Sequence, residues 1–221
     1  VSHEYRTPLT VILSSAYLIK ESLKRGLDDE VDRHLHKIHH SVTVMSRLLE
    51  DVLTFEKAEE GILEVRLTEF DLHEFLLDII EEARINDQKE HNITLYMPED
   101  NYWINSDRYL LKQIISNLLN NSIKYSEKGT YIDVDCRIQN SSIYLLIKDE
   151  GKGISDEDLE NVFEPFYRNK KTIGITPGIG LGLAITKRCV ELLNGEIEIN
   201  NKLDKGVIFK ITIPLVQKSD T

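Results

Sequence analysis

Residues 31–52, VDRHLHKIHHSVTVMSRLLEDV, contain the pattern that decides the N-terminal fold. Apolar side chains recur along this stretch at alternating steps of four and three residues, at Val31, Leu35, Ile38, Val42, Met45, Leu49 and Val52. This heptad spacing is typical of a helix that keeps one apolar stripe against a partner helix. We therefore expect a long helix here.

A second stripe precedes this one. The same spacing relates Leu9, Ile12, Ala16, Ile19 and Leu23, and only a short break at residues 26–30 separates the two stripes. Two helices joined by so short a loop run antiparallel. One hairpin has too little interior to bury both stripes, so we expect a twofold dimer that forms a four-helix bundle. The alternative is that the hairpin packs on the rest of its own chain.

The pattern changes after Gly61. We expect strands at residues 62–67, 93–97, 131–138, 143–148, 196–200 and 207–215, and helices at 72–86, 108–125, 156–162 and 181–193, with a loop at 165–177. Strands and helices in this order predict a mixed sheet covered by helices on one face. The fold class is therefore α+β, with a helical hairpin at residues 1–60 and an α/β sandwich at residues 61–221.

Composition limits the partners. Lys and Arg number 27 and Asp and Glu 38, which gives a net charge of −11 and argues against a nucleic-acid groove. Cys136 and Cys189 are 53 positions apart and suggest neither a disulfide framework nor a zinc site. No run of apolar residues approaches the length of a membrane span, so we expect a soluble piece. The chain starts without Met, almost inside a motif, and we expect it to be the C-terminal part of a longer protein.

The first candidate site is the octet SHEYRTPL, residues 2–9. Continuing the apolar stripe backwards puts His3 beside it, on the flank that faces water, with Glu4 next to it and Thr7 one turn further on. Pro8 cannot donate to the carbonyl of Glu4, so the helix should bend there. A histidine alone is most often a solvated surface residue, but the octet as a unit favours a reactive imidazole.

The predicted helix at residues 108–125 contains the second candidate site. Gln113, Asn117, Asn121, Lys124 and Tyr125 form a row along one edge of this otherwise apolar helix. Amide oxygens can complete a Mg²⁺ shell and the ammonium can meet phosphate charge. The alternative is that the amides are solvated or satisfy nearby loops.

Two glycine segments complete the set of candidate sites. In DEGKGI, residues 149–154, a carboxylate at a strand end is followed by Gly-x-Gly, which lets a planar ring approach the backbone; alone this signal is weak. In GIGLGL, residues 178–183, glycines before a helix can turn backbone N–H groups toward an anion. The cations Arg168, Lys170 and Lys171 precede it in a Gly- and Pro-containing loop that we interpret as a mobile lid over phosphates.

These motifs in this order, together with FEPF at residues 163–166 and NLLNNSIKY at residues 117–125, closely resemble the catalytic core of bacterial-type sensor histidine kinases. The resemblance covers essentially the whole chain. It implies a dimerisation and phosphoacceptor hairpin, residues 1–60, followed by an ATP-binding domain, residues 61–221, with the fold shared by gyrase and Hsp90-type ATPases.

The resemblance also implies roles for individual residues. His3 resembles the phosphoacceptor, Glu4 the neighbouring base, Thr7 the residue that positions water for dephosphorylation of a regulator, and Arg168 a lid cation at the terminal phosphate. Asn117 and Asn121 resemble the Mg²⁺ ligands. The nucleotide-binding set implied is Asn117, Asn121, Lys124, Tyr125, Asp149, Gly151, Gly153, Ile154, Gly178, Gly180, Leu181 and Gly182.

The implied activity is autophosphorylation of His3 by ATP and Mg²⁺, then transfer to an aspartate of a response regulator, with phosphatase activity toward that regulator. The implied chain is a cytoplasmic homodimer that binds no nucleic acid and does not itself touch the membrane; any anchor would lie in an N-terminal sensor region. Two positions depart from the family pattern: Glu150, where Asn is common, and Val207, where Ser or Thr usually follows the glycine. An ATPase of the same fold and a non-enzymatic dimeric scaffold are the alternatives.

Overall fold

Two long antiparallel helices form the N-terminal part of the computed structural model. The structure describes residues 2–98, 102–169, 178–201 and 205–215, and the side chains of the hairpin from Glu4 onward. Helix α1 spans Ser2–Arg25 and α2 spans Asp28–Glu59. Gly26 joins them with a φ of +67°, the left-handed conformation that commonly ends a helix. The predicted hairpin is confirmed.

The two sides of this hairpin differ in character. Small or polar residues, Ser15, Ser22, His34 and Ser41, are buried on its inner side, where the Ser22 hydroxyl donates to Glu30 Oε2 over 3.0 Å. Large apolar residues of the predicted stripes remain exposed on the single chain, among them Leu9, Leu23, Leu35, Val42 and Leu49. The stripes therefore do not pack against each other within the hairpin.

The second part of the chain is an α/β sandwich. Its strands are β1 (Thr68–Asp71), β2 (Asn92–Tyr96), β3 (Trp103–Ser106), β4 (Tyr131–Gln139), β5 (Ser142–Lys148), β6 (Glu196–Asn201) and β7 (Val207–Pro214). Its helices are α3 (Leu72–Asn86), α4 (Arg108–Tyr125), α5 (Asp156–Leu159) and α6 (Gly182–Leu192). The predicted α+β class is confirmed.

Five of the strands form one mixed sheet in the order β2-β4-β5-β7-β6. β2 pairs parallel to β4, and the other neighbours are antiparallel, with Asp133 opposite Lys148 at one end of the β4–β5 ladder. Burial alternates along β4 and β7, so one face of the sheet is the core face. Helices α3, α4 and α6 cover that face with fully buried aliphatic side chains such as Ile80, Ile114 and Ile185.

Three predicted elements need correction. The strand expected at residues 62–67 is wrong: that segment is irregular, and the strand β1 begins at Thr68. β1 pairs antiparallel with β3, a four-residue strand that the sequence pattern did not reveal because it is too short to show an alternation. The helix expected at residues 156–162 ends at Leu159 as one turn, α5. Residues 170–177 of the expected loop lie outside the described residues.

The second half of α2 packs against the sandwich. The Thr54 hydroxyl lies 3.2 Å from the Tyr109 hydroxyl, Arg188 Nε donates to the carbonyl of Ala58 over 3.3 Å, and Leu48 is buried. The hairpin therefore docks on its own chain along α2 while its apolar stripes stay exposed. The sequence left two packings of the hairpin open, one on the sandwich of its own chain and one on a second chain. The two packings can therefore coexist.

Both cysteines are buried and free, as expected from their spacing. Burial raises the pKa of the Cys136 thiol and of the Cys189 thiol to about 12, so both behave as small apolar residues of the core. Within the described ranges, no helix is long and apolar enough to cross a bilayer.

Candidate functional site

A cleft of about 790 Å³ lies between α4, the start of α6 and the docked helix α2. The residues of the predicted nucleotide-binding set all line this cleft: Asn117, Asn121, Lys124, Tyr125, Asp149, Gly151, Gly153, Ile154, Gly178, Gly180, Leu181 and Gly182.

 Arg168 lines the cleft beside these twelve residues. Their proximity is a structural observation, and their individual roles stay predictions.

Asp149 lies at the floor of this cleft and is almost fully buried. Its Oδ1 accepts hydrogen bonds from the backbone N–H groups of Gly151 (2.9 Å) and Val207 (3.1 Å), and its Oδ2 accepts one from the Ser122 hydroxyl (3.1 Å). A carboxylate oxygen can accept two hydrogen bonds, so Oδ2 retains capacity for a further donor such as an exocyclic amine. Val207, one of the two departures from the family pattern, contributes here through its backbone.

Glycines keep the backbone close around Asp149. A Cβ on Gly151 would lie 2.8 Å from the carbonyl oxygen of Tyr125, and one on Gly206 would overlap the carbonyl oxygen of Asp149. Asn201 holds the end of this segment, because its Oδ1 accepts from the N–H of Ile154 (2.9 Å) and its Nδ2 donates to the Ile154 carbonyl (2.6 Å). The segment is therefore a closely packed wall of the cleft.

Helix α4 supplies the polar edge of the cleft. Its N-cap Asp107 accepts from the N–H groups of Tyr109 and Leu110, which fixes where the helix begins. Asn117 is buried and donates through Nδ2 to the Gly182 carbonyl over 3.3 Å, and Lys124 Nζ lies 4.9 Å from the Tyr125 ring centroid. The predicted row is therefore present, but its first member, Gln113, is not among the described residues that line the cleft.

The glycine segment before α6 forms the opposite wall. Gly180 has a φ of +78°, and a Cβ there would lie 2.5 Å from the Tyr167 carbonyl oxygen. The Gly180 carbonyl accepts from the N–H of Phe166 over 3.0 Å, and Leu181 is buried behind the segment. These contacts join the segment to residues 166–168, on the lid side of the cleft.

Phe166, Tyr167 and Arg168 connect this wall to other parts of the molecule. The Phe166 ring packs edge-on against Phe55 of α2, with ring centroids 6.0 Å apart. The Tyr167 hydroxyl donates to Asp158 Oδ1 over 2.7 Å, and this hydrogen bond raises the pKa of Tyr167 above its usual value. Lys170 and Lys171, the other two cations of the predicted lid, lie outside the described residues.

The first turn of α1 reaches the same end of the cleft. Glu4 Oε1 accepts from Arg168 Nη1 over 2.6 Å, and Glu4 Oε2 accepts from the N–H of Gly178 over 3.4 Å. His3 belongs to the same helical turn, although its side chain lies outside the described part of the chain. Thr7 is exposed one turn further along α1. α1 continues without interruption through Pro8 to Arg25.

Helix α2 adds cleft residues that the sequence did not single out. His40, Val44, Arg47 and Asp51 line the cleft at steps of four, three and four residues, so they share one face of α2. Burial raises the pKa of Asp51 to about 6, against the opposing effect of the Arg47 charge. The same heptad spacing that revealed the apolar stripes could have revealed that these four residues share a face.

The polar edge of α4 fits Mg²⁺ together with a phosphate ligand. Because the Gly182 carbonyl engages the Asn117 amide nitrogen, the Asn117 amide oxygen is the atom able to act as a ligand, and Asn121 lines the cleft one turn away. Mg²⁺ takes oxygen ligands and keeps several waters and phosphate oxygens, so few protein ligands are needed. Among the described residues, no group of three or more His, Cys, Asp or Glu side chains forms a separate metal site.

Two family descriptions match this chain. "His Kinase A (phospho-acceptor) domain" matches residues 1–61, and "Histidine kinase-, DNA gyrase B-, and HSP90-like ATPase" matches residues 106–217. The second match alone includes half of the chain and contains the cleft residues of α4 and of both glycine segments.

Individual relatives agree with these matches. The chain is 34% identical to the sensor protein KdpD of Clostridium acetobutylicum, covering 97% of this chain and 24% of KdpD. It is 31% identical to the autoinducer 2 sensor kinase/phosphatase LuxQ of Vibrio cholerae, covering 100% of this chain and 26% of LuxQ. The Acinetobacter baumannii histidine kinase AdeS superposes with a TM-score of 0.72 at 25% identity, covering 97% of this chain and 98% of the AdeS chain. The chain spans about a quarter of the length of the two curated relatives.

Proposed function

The chain belongs to the sensor histidine kinases, and from that premise we propose that it transfers the terminal phosphoryl group of ATP to its own His3 and then to an aspartate of a response regulator. The observation that carries the proposal is the pairing of Glu4 with Arg168, because it brings the helical turn of His3 to the end of the cleft formed by the glycine segment. A phosphoacceptor must reach that end of a bound triphosphate.

The cleft supports binding of ATP in one orientation. Asp149 Oδ2 can accept from the adenine amine, and the Tyr125 ring lines the same end of the cleft. Backbone N–H groups of the glycine segment and the cations Lys124 and Arg168 suit the phosphates at the other end. Mg²⁺, held by Asn117 and Asn121, would neutralise phosphate charge.

The transfer is an in-line displacement at the terminal phosphorus. One neutral imidazole nitrogen of His3 forms an N–P bond while the bond from phosphorus to the bridging oxygen breaks and ADP leaves with that electron pair. Glu4 accepts a hydrogen bond from the other ring N–H and stabilises the cationic imidazole that develops. Lys124 and Arg168 offset the negative charge on the phosphate oxygens. In the second transfer, a regulator aspartate takes the phosphoryl group and His3 is regenerated.

Thr7 supports an additional hydrolytic activity. It is exposed on α1 one turn beyond His3, where its hydroxyl can orient a water toward a phosphoaspartate docked on the hairpin. Water then forms the new P–O bond, and inorganic phosphate leaves the regulator aspartate. The printed name of the relative LuxQ includes both kinase and phosphatase.

The exposed apolar stripes of the hairpin support a homodimer. Leu9, Leu23, Leu35, Val42 and Leu49 are exposed on one chain at heptad spacing, and a second hairpin can bury them in a four-helix bundle.

Radioactive labelling tests the kinase activity. With Mg²⁺ and ATP labelled on the terminal phosphate, we expect acid-labile, alkali-stable label on the protein, lost in His3→Gln and kept in His36→Gln, which changes an exposed histidine of α2. Free phosphate without protein label would support an ATPase instead, and neither product would support a non-enzymatic scaffold.

The intrachain contacts also support transfer within one chain. Glu4, in the turn of His3, pairs with Arg168 of the same polypeptide, and the contacts of Thr54 and Ala58 join the same two domains. Mixed dimers of His3→Gln and Asp149→Asn chains test this. Transfer within a chain predicts no label after subunit exchange, whereas label on the Asp149→Asn chain, whose His3 is intact, would demonstrate transfer between chains.

A further inference from the structure

The carboxylate of Glu4 lies among groups that suit a phosphate. Arg168 Nη1 donates to one of its oxygens over 2.6 Å and the N–H of Gly178 points to the other over 3.4 Å. The ammonium of Lys124 is close by, since it lies 3.3 Å from the position that a Cβ on Gly178 would occupy. A guanidinium and a backbone N–H that donate to one anion, with an ammonium nearby, form a donor set typical of a phosphate subsite.

The anion and its donors come from different domains. Glu4 belongs to the hairpin, whereas Arg168, Gly178 and Lys124 belong to the sandwich and line the cleft. The Arg168 side chain is 12% exposed and that of Glu4 is 25% exposed, so solvent screens this pair less than it screens a surface ion pair. The Tyr5 hydroxyl, next in sequence, donates to the Leu48 carbonyl over 3.4 Å and holds the turn against α2.

We propose that Glu4 occupies the subsite for the terminal phosphate of ATP, so that Glu4 and this phosphate compete for Arg168 and the Gly178 amide. This inference rests on the proposed use of ATP by the cleft. ATP has the competing phosphate and ADP lacks it, so Glu4 lowers the affinity for ATP more than the affinity for ADP. Glu4 is thereby a specificity-determining residue as well as a neighbour of His3.

The competition links nucleotide binding to the acceptor. While Glu4 pairs with Arg168 and Gly178, each of its carboxylate oxygens already accepts one hydrogen bond, which reduces its capacity to accept from the His3 ring. A terminal phosphate that takes over Arg168 and the Gly178 N–H releases this carboxylate, one residue from His3. After transfer, ADP has no group for the subsite, and Glu4 can pair with Arg168 again.

Binding measurements on the full chain test the competition. In a His3→Gln background, which prevents autophosphorylation, Glu4→Gln removes the charge and keeps the side-chain shape. We expect ATP to bind roughly five- to tenfold more tightly, the size expected for loss of one shielded competing ion pair, and ADP to change by less than about twofold. The matched control Glu21→Gln, which removes a carboxylate paired with Lys24 on the same helix, should change neither affinity.

A double-mutant cycle identifies the partner. In an Arg168→Ala background, Glu4→Gln should strengthen ATP binding by less than about twofold, because only the longer contact with the Gly178 N–H is then shared. ATP affinity that is unchanged or lower in Glu4→Gln, or an equal gain for ADP, would overturn the competition. Because equilibrium binding requires no phosphoryl transfer, its outcome is separate from that of the labelling experiment: a chain can fail to label His3 and still show the competition, or the reverse.

Discussion

Asp149→Asn should change which base the cleft accepts while leaving the fold intact. The Oδ1 of Asp149 accepts from the N–H groups of Gly151 and Val207, and its Oδ2 accepts from Ser122. An amide keeps one oxygen for the two backbone donors and puts an NH₂ group in the place of Oδ2, where the Ser122 hydroxyl can rotate and accept. We therefore expect a melting temperature close to that of the wild type.

In Asp149→Asn the new NH₂ group faces the adenine amine, and because both groups are donors, ATP affinity falls. A hydrogen bond to a charged group contributes about 1.5–3 kcal/mol, and leaving a buried donor unsatisfied costs about 1–3 kcal/mol more. Together these contributions reach about 2.5–6 kcal/mol, so with about 1.4 kcal/mol for each factor of ten, ATP should bind at least roughly 60-fold more weakly. ITP carries a carbonyl oxygen where adenine has its amine, so the new amide can donate to it and the preference should reverse toward ITP.

Displacement of a fluorescent nucleotide by ATP and by ITP measures this reversal. Glu150→Gln, which makes the same charge change at the exposed neighbouring residue, should keep the wild-type preference for ATP. An Asp149→Asn variant that keeps ATP affinity within about threefold of the wild type, or a fully folded variant that loses ATP and ITP affinity equally, would contradict this role of Asp149.

Three further predictions concern stability and assembly. Burial raises the pKa of Asp51 from 3.8 to about 6, so the native state holds a proton that the unfolded state releases, and stability falls as the pH rises between these values. Asp51→Asn should therefore stabilise the protein by up to roughly 3 kcal/mol at pH 7.5 and have little effect near pH 4, as followed by circular dichroism during unfolding. Gly206→Ala adds a Cβ that overlaps a backbone carbonyl at a φ of +97° and should cost more than about 2 kcal/mol in urea unfolding, whereas Gly26→Ala, with open space at +67°, should cost about 1 kcal/mol. Leu49→Glu, at a position 55% exposed on the hairpin, should convert dimer to monomer in sedimentation equilibrium, and Leu77→Glu, 42% exposed on α3, should not.

Long helices with a strong period were predictable from the sequence because their signal extends over many turns. The predicted bounds of α3 and α4 agree with the structure, and both begin after an Asp whose carboxylate caps the helix. The short strands β1 and β3 were not predictable in this way. Each has four residues, and their pairing depends on contacts between positions 32 to 38 residues apart. A local pattern cannot contain that information.

The residues of the cleft were predictable for a related reason, but the contact between the cleft and the hairpin was not. Asp149 and the glycine segments act through backbone geometry that is specified within a few neighbouring residues, so each leaves a local motif. Glu4 and Arg168 are 164 positions apart and meet only because α2 docks on the sandwich through contacts such as Phe55 with Phe166. That docking is specified by surface complementarity between two folded parts, which leaves no periodic signal. The contact between Glu4 and Arg168, on which the proposed competition rests, therefore becomes visible only when both parts are seen together.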